Sequence, residues 1–231
     1  MCTHSASCNN KIMFDHACSL LLFLFIAVSP SVQLCAPDCT DVDPGTKVRD
    51  PTDCTRYYVC LDVTGDGILL PSEPVDCPDA HYFNEHHTSP RCDPIAGAPS
   101  DFCSRLCNPC EPHCSSPGEL TPHPTKCYQY YVCLQNNNLL GEECPTHNIN
   151  FDYLTGKCQN DDTLCYNYCN ICEPHCTQDS ERVPDPTDCH RFYLCTPPTM
   201  SNFLCPHNQV FSRVTRECED GATCVVDCPS S

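Results

Sequence analysis

Short apolar segments bounded by cysteines recur three times along the chain, and their hydrophobic and polar positions follow the pattern of β-strands. Each segment carries two or more aromatic residues between two cysteines, joined by β-branched residues in the first two, a composition typical of strands. Turn-forming residues follow, and a second apolar stretch leads to the next cysteine, so each segment is predicted to begin a hairpin. The predicted strands are residues 54–60, 127–133 and 189–195, and the turn formers are residues 64–67, 136–138 and 197–198.

The cysteines themselves form three copies of one eight-cysteine pattern, which accounts for 24 of the 27 in the chain. In every copy three residues separate the first two cysteines, five separate the third and fourth, and three separate the last two. A spacing that is retained while the residues between it change indicates disulfide geometry. The copies define three predicted modules: module 1 (residues 35–107), module 2 (residues 110–169) and module 3 (residues 172–228).

A second, shorter β element is predicted after the fifth cysteine of each module. There a Cys-Pro pair is followed within a few residues by Phe83, Phe151 or Phe211, and then by turn residues and the sixth cysteine. No window beyond residue 31 shows sustained helical periodicity. The predicted fold class is therefore small disulfide-rich β, with three tandem modules of two short antiparallel β elements each.

Modules of this size lie near the lower limit at which an apolar core alone can stabilise a fold. About four disulfides per module are therefore expected to supply the remaining stability. The joins between modules are only two residues long, at residues 108–109 and 170–171. We expect the modules to behave as independent beads that lie close together.

The N-terminal 31 residues are predicted to be a signal peptide. Lys11 precedes an apolar run at residues 18–28, and small residues follow it up to Ser31, the expected cleavage point. A membrane anchor is the alternative, but about eleven apolar residues fall short of the roughly 20 that a spanning helix needs. Cleavage would remove the three cysteines outside the pattern. Translation of the precursor would start at Met1 or at Met13. A secreted chain also agrees with its high cysteine content, since disulfides persist in oxidising compartments.

The formal net charge is −18. Such a chain is repelled by nucleic acid and by anionic membrane surfaces, so its partner is expected to be neutral or cationic. The simpler alternative is that the acidic residues only keep a cysteine-rich extracellular protein soluble.

Six of the eight cysteines in each module carry a family resemblance. Without the outermost two, their order and spacing resemble those of the type 2 chitin-binding domain, also called the peritrophin-A domain or carbohydrate-binding module family 14. The Cys-x-x-aromatic-aromatic-x-Cys strand and the Cys-Pro…Phe segment are similar to that family too. In the family an Asp commonly follows the cysteine that is sixth of the eight in each module; Asp93 keeps it, whereas Gln159 and Glu219 replace it.

The resemblance implies bonds from the first to the third, the second to the sixth and the fourth to the fifth of these six cysteines. The implied disulfides are Cys39–Cys60, Cys54–Cys103 and Cys77–Cys92 in module 1, Cys114–Cys133, Cys127–Cys165 and Cys144–Cys158 in module 2, and Cys176–Cys195, Cys189–Cys224 and Cys205–Cys218 in module 3.

The outer two cysteines of each module leave two pairings open. Bonds within the Cys-x-x-Cys joins would link Cys107 to Cys110 and Cys169 to Cys172, leaving Cys35 and Cys228 without a partner. Bonds across each module leave no cysteine over and are preferred. They are Cys35–Cys107, Cys110–Cys169 and Cys172–Cys228.

The resemblance also implies binding to chitin or to N-acetylglucosamine oligomers. Aromatic rings offer flat, rigid area to the apolar faces of sugar rings, while polar side chains satisfy hydroxyl and acetamido groups. The candidate binding residues are two aromatics from each predicted strand and the phenylalanine that follows: Tyr57, Tyr58, Phe83, Tyr130, Tyr131, Phe151, Phe192, Tyr193 and Phe211.

Structural roles compete for all nine residues. Alternate side chains of a strand share a face, so Tyr58, Tyr131 and Tyr193 lie on the side of the flanking cysteines and the other three strand aromatics point away. Periodicity leaves open which side meets sugar. For the phenylalanines a structural role is favoured.

The expected function is that of a secreted structural protein that binds and cross-links chitin in an extracellular matrix, such as a peritrophic matrix or cuticle. Other matrix proteins are further candidate partners, and no cofactor or metal is expected. The alternatives are an acidic egg-coat or mineral matrix protein and a soluble defence lectin directed at chitin.

Two further alternatives are disfavoured. An enzyme is not expected, because three modules fill the secreted length and leave no room for a catalytic domain. A zinc site is suggested by the close cysteines and His113 around the first join and by their counterparts around the second. In a secreted chain whose cysteines all belong to one repeat, disulfides are favoured over zinc.

Overall fold

The computed structural model describes residues 35–228 apart from Thr64 and Asp66. The proposed signal peptide and Cys2, Cys8 and Cys18 lie outside the described residues. Within these residues there are only short strands, two single 3₁₀ turns and irregular chain, with no α-helix. The predicted fold class, small disulfide-rich β, is confirmed. Nor does the described part of the chain contain any helix with the length and apolarity that crossing a bilayer requires.

Module 1 contains one sheet around a central strand and a separate hairpin. In chain order its strands are β1 (Lys47–Arg49), β2 (Arg56–Leu61), β3 (Leu70–Pro71), β4 (Val75–Asp76), β5 (His81–Asn84) and β6 (Arg91–Pro94). The central strand β2 pairs antiparallel with β1 on one side, and with β3 and β4 on the other. The hairpin is formed by β5 and β6.

Modules 2 and 3 repeat this arrangement with three strands in the sheet and two in the hairpin. The strands of module 2 are β7 (Leu120–Pro122), β8 (Gln129–Cys133), β9 (Leu139–Glu143), β10 (Asn150–Asp152) and β11 (Lys157–Gln159). Those of module 3 are β12 (Arg182–Pro184), β13 (Arg191–Thr196), β14 (Thr199–Leu204), β15 (Val210–Phe211) and β16 (Cys218–Glu219). The central strands are β8 and β13, and all pairs are antiparallel.

Four disulfides join the parts of each module, and none crosses between modules. One bond of each module links its first cysteine to its last, which closes the module end to end. The bonds are Cys35–Cys107, Cys39–Cys60, Cys54–Cys103 and Cys77–Cys92, then Cys110–Cys169, Cys114–Cys133, Cys127–Cys165 and Cys144–Cys158, then Cys172–Cys228, Cys176–Cys195, Cys189–Cys224 and Cys205–Cys218.

In each module, the sequence did not predict the strand that precedes the central strand. β1, β7 and β12 are only three residues long, and two of them end in proline. The sequence predicted a turn in this region, and a turn does follow: Asp50 Oδ1 accepts hydrogen bonds from the N–H and the hydroxyl of Thr52, both at 2.7 Å. Asp185 and Thr187 repeat it in module 3.

The modules are not independent beads, contrary to the expectation from sequence. The Tyr166 hydroxyl of module 2 is buried 3.0 Å from the carbonyl oxygens of both Cys35 and Pro109, which ties module 2 to the start of module 1 and to the join. Tyr168 of module 2 meets Tyr58 of module 1 edge to face, with ring centroids 6.3 Å apart. Nothing in the spacing of these tyrosines reveals that their partners lie in another module.

Candidate functional site

Each module contains one pair of stacked aromatic rings at the same place in its fold. One ring comes from the central strand and is half-buried; we call Tyr57, Tyr130 and Phe192 the strand rings. The other comes from the hairpin; we call Phe83, Phe151 and Phe211 the base rings. The ring centroids of the three pairs are 5.1, 4.8 and 5.0 Å apart, with interplanar angles of 22°, 14° and 15°.

One backbone hydrogen bond sets this stack in every module. The N–H of the base ring's residue donates to the carbonyl oxygen of the cysteine that precedes the central strand. The bonds run from Phe83 to Cys54, from Phe151 to Cys127 and from Phe211 to Cys189, at 2.8, 2.7 and 2.8 Å. The same cysteine is tied by a disulfide to the C-terminal part of its module, so the hairpin and sheet are fixed against each other.

The base rings have almost no surface of their own. Phe83, Phe151 and Phe211 are 5%, 2% and 3% exposed. Because they are buried, these three rings have no exposed face that could contact a polymer. They were among the nine candidate binding residues, and direct contact with sugar is therefore no longer expected for them. Their position fits support of the strand ring, which agrees with the structural role favoured for them from sequence.

The three tyrosines on the opposite face of the strands have unlike surroundings. Tyr58 is 8% exposed at the contact with Tyr168, and burial raises its pKa to about 12. Tyr131 stacks on His123 at 5.4 Å, and burial lowers the pKa of that imidazole. Tyr193 is half-buried between its cross-strand neighbours Val183 and Asn202. The strand rings therefore have the same stacking partner, the base ring, in all three modules, whereas Tyr58, Tyr131 and Tyr193 do not share one.

Two segments of the chain match the family model of the chitin-binding peritrophin-A domain, residues 39–98 and residues 176–228. The first lies within module 1 and the second within module 3. Modules 1 and 3 belong to the chitin-binding peritrophin-A domain family. No curated protein matches the chain.

The two peritrophin-A domains differ in what surrounds the strand ring. A cation from the preceding strand lies over the ring in both: the Lys47 ammonium is 4.9 Å from the centroid of Tyr57, and the Arg182 guanidinium carbon is 5.8 Å from that of Phe192. The difference lies on the opposite side, where Val75 on β4 is the cross-strand neighbour in module 1. In module 3 the neighbour on β14 is Phe203, which stacks on Phe192 at 5.6 Å and is 44% exposed.

Phe203 was missed as a candidate from the sequence. Its counterparts are Val75 in the first peritrophin-A domain and Glu142 in module 2. Alignment on the cysteines therefore showed no recurring aromatic at that position. The signal that could have found it is the cross-strand register, which places Phe203 directly opposite Phe192.

The position after the sixth of the eight cysteines has a different hydrogen-bonding role in each module. Asp93 accepts hydrogen bonds from Asn84 at 2.9 Å and Arg91 at 2.8 Å, and the hydrogen bond from Asn84 holds the pKa of Asp93 below its ordinary value. Gln159 instead donates to Asp152 at 2.7 Å. Glu219 accepts from the Thr215 hydroxyl at 2.5 Å. In each case the side chain closes its own hairpin.

The cysteines that suggested zinc all form disulfides. His113 does approach Cys35 and Cys107, with the three potential ligand atoms within 4.8 Å of one another, but both sulfurs belong to one disulfide. A cysteine binds zinc as a thiolate, which a disulfide sulfur is not. The His113 ring lies 2.9 Å from the carbonyl oxygen of Asn108, so its role here is to close the turn of the join.

Proposed function

We propose that this chain is a secreted structural protein that binds chitin through all three modules and cross-links chitin fibrils in an extracellular matrix. The family of modules 1 and 3 and the recurrence of one supported aromatic ring per module carry this proposal. Twelve disulfides agree with an oxidising, extracellular setting. The peritrophin-A domain is a binding module, so the proposal requires no catalytic residues.

We propose that module 2 is a third peritrophin-A domain. It has the same four disulfide pairings as its neighbours, a three-stranded sheet with a hairpin, and the same hydrogen bond from phenylalanine to cysteine. Its Tyr130 ring stacks on Phe151 more closely than the other strand rings do on theirs. All the parts that hold a strand ring in modules 1 and 3 are therefore present.

Sugar binding would use the side of the strand ring that faces away from the base ring. A ring that is already stacked on a buried neighbour loses little freedom when it meets an N-acetylglucosamine unit, so the entropic cost of binding is low. The amide and hydroxyl groups of the sugar then require polar partners, because a buried group left unpaired costs about 1–3 kcal/mol.

One strand ring offers a small contact area, so a single module is expected to bind weakly. Three modules in one chain raise the effective concentration of each site once the first has bound, provided that their geometry allows simultaneous contact. If modules engage separate fibrils, the same linkage makes a cross-link. Other matrix proteins are candidate partners for the surfaces that remain free.

A pull-down with the oxidised secreted chain tests the proposal. We expect retention on chitin beads and much weaker retention on cellulose beads, because cellulose lacks the acetamido group. Reduced and alkylated chain is the control and is expected to lose retention, since removing a native disulfide from a small domain costs about 2–5 kcal/mol. Failure of the oxidised chain to bind chitin would refute the proposal.

The role of module 2 needs its own variant. Tyr130→Leu keeps an apolar side chain on Phe151 but removes the flat ring, so it is expected to weaken chitin retention without changing the thermal unfolding of the chain. Retention equal to that of the unsubstituted chain would show that module 2 does not contribute.

A further inference from the structure

A polar cleft of about 520 Å³ lies where all three modules meet, away from the three ring stacks. Module 1 contributes Tyr58 and Glu73, module 2 contributes Tyr168, and module 3 contributes Glu173 and His175. Its volume lies within the range of about 300–1,000 Å³ that is usual for small-ligand sites. Because three modules form its walls, no single module contains this site.

The walls of the cleft carry an excess of negative charge. Four carboxylates line it, those of Asp50, Asp53, Glu73 and Glu173, against the single guanidinium of Arg56. Arg56 is already engaged, because its Nη2 lies 3.1 Å from Asp50 Oδ2 and its Nε lies 3.3 Å from Asp53 Oδ2. Glu73 and Glu173, both exposed, are left to attract a cationic ligand.

The nearby histidine does not offset this charge at neutral pH. Burial lowers the pKa of His175, and this effect outweighs the opposing ones of a hydrogen bond to Asn170 and the charge of Glu173. The imidazole is therefore neutral under those conditions.

The ion-paired group at the wall is also short of hydrogen bonds. The Asp50 side chain is 1% exposed, yet its Oδ2 accepts no hydrogen bond within the described residues, and neither does Arg56 Nε donate one. In module 3 the equivalent oxygen, Asp185 Oδ2, accepts a hydrogen bond from Asn202 at 2.9 Å. The charge of Asp50 is instead compensated by the Arg56 guanidinium, and the uncompensated charge of the cleft is that of Glu73 and Glu173.

The remaining surface is aromatic and apolar. Tyr58 and Tyr168 meet edge to face at 6.3 Å, and proline residues from modules 1 and 3 form rigid walls beside them. A bare divalent cation does not suit this cleft, because it would approach the guanidinium of Arg56 and leave most of the volume unfilled. A cation attached to an apolar-faced ring suits it better.

We propose that the cleft binds a glucosamine-containing stretch of partly deacetylated chitin, with the ammonium group of the sugar beside Glu73 and Glu173. This inference rests on the proposed function for the polymer class, but it assigns a second site with the opposite preference. The strand rings would hold the neutral acetylated sugar, and the cleft would hold the cationic one. A chain that carries both sites would bind most strongly where acetylated and deacetylated stretches alternate.

The test uses the oxidised chain and three soluble probes in calorimetric titrations: a glucosamine oligomer, an N-acetylglucosamine oligomer of equal length and oligolysine. We expect the glucosamine oligomer to bind more tightly than either of the others, and the binding to weaken as salt is raised. Failure to bind it would overturn the proposal. Oligolysine binding equally well would overturn the assignment to a sugar.

Paired variants separate the cleft from the charge of the whole chain. Glu73→Gln with Glu173→Gln is expected to weaken glucosamine binding about five- to tenfold, since each exposed charge contributes modestly. The matched control, Asp79→Asn with Glu217→Gln, removes two exposed charges from modules 1 and 3 outside the cleft and is expected to leave binding within about twofold. Equal losses in both pairs would overturn the cleft as the site.

Chitin retention of the same proteins keeps the two proposals apart. The Glu73 and Glu173 variant is expected to be retained on fully acetylated chitin beads like the unsubstituted chain. Loss of glucosamine binding with intact chitin retention is the result that supports two separate sites. If the unsubstituted chain binds glucosamine through the cleft but is not retained on chitin, the proposed chitin-binding function is refuted. The assignment of the cleft as a glucosamine site is then still supported.

Discussion

Modules 1 and 3 share a framework but present different surfaces at the strand ring. Both have four disulfides in the same order, an Asp-Thr turn before the central strand and a strand ring about 5 Å from its base ring. Opposite the ring, module 1 places Val75 and module 3 places Phe203. The cysteines and the buried phenylalanine thus determine where the ring lies. The strand opposite the ring, here called the facing strand (β4 in module 1 and β14 in module 3), varies in sequence.

The buried Asp of the turn shows the same contrast. Asp50 is ion-paired with Arg56, whereas Asp185 accepts a hydrogen bond from Asn202 on the facing strand. Because the facing strand supplies both Phe203 and Asn202, its sequence distinguishes module 3 from module 1 in the surface beside the strand ring and in the partner of the buried Asp.

The largest expected effect comes from removing a base ring, and it should be the same in both modules. Phe83→Ala and Phe211→Ala each delete a buried ring and are expected to destabilise their own module by about 3–5 kcal/mol. Hydrogen exchange of the module's amides in the oxidised chain measures this change. An effect below about 1 kcal/mol in either module would contradict the shared framework.

A smaller effect is expected at the facing strand, and it should differ between the modules. Phe203→Ala removes an exposed ring that stacks on Phe192 and is expected to weaken chitin binding by about 1 kcal/mol, roughly fivefold. Val75→Ala is the matched control at the equivalent position and is expected to change binding less than twofold, by about 0.4 kcal/mol at most.

The converse substitution sharpens this comparison. Val75→Phe places a ring opposite Tyr57 and is expected to increase chitin binding if the facing strand belongs to the sugar surface. Hydrogen exchange measures module stability in each of these variants. A loss of stability would mean that the change in chitin binding results from impaired folding. Equal effects of Phe203→Ala and Val75→Ala would contradict the proposed difference between the modules.

The smallest effect is a pH dependence of module 3. Burial raises the pKa of Asp185, but hydrogen bonds from Thr187 and Asn202 outweigh it and hold the pKa below its ordinary value of 3.8. A carboxyl with a lowered folded pKa stabilises the fold above its unfolded pKa, and this contribution is lost as the pH falls through the folded value. Module 3 is therefore expected to lose stability below about pH 4.

Two variants check the source of that pH dependence. Asp185→Asn is expected to flatten the decrease in the melting temperature of module 3 on acidification, whereas Asp220→Asn, at an exposed position of the same module, is expected to leave it unchanged. An equally steep decrease after Asp185→Asn would assign the effect to other carboxyl groups.

The strands and disulfides of each module could be predicted from the sequence because cysteine spacing reflects local geometry. The spacing of residues 54–60 and its repeats predicted the central strands, and the Cys-Pro…Phe segments predicted the hairpins. The disulfide pairs in the structure match the nine that the family resemblance implied and the three preferred for the outer cysteines. In contrast, β1, β7 and β12 are too short for a periodic pattern, and only their pairing with a later strand defines them.

Features that depend on contacts between distant residues were not predictable in this way. Phe203 differs from its counterparts in the other copies, so a repeat pattern conceals it. Tyr58 and Tyr168 lie in separate modules, and their contact depends on how those modules pack. The cleft follows from the same packing and requires residues from all three modules.

The central claim is that three supported rings bind chitin, and a binding isotherm on chitin tests it most directly. Compared with the unsubstituted chain, a triple variant carrying Tyr57→Leu, Tyr130→Leu and Phe192→Leu keeps apolar packing on each base ring but has no strand ring. We expect its affinity for chitin to fall by at least about tenfold, or roughly 1.4 kcal/mol, while its hydrogen-exchange protection is retained. Unchanged affinity in a folded triple variant would contradict the account.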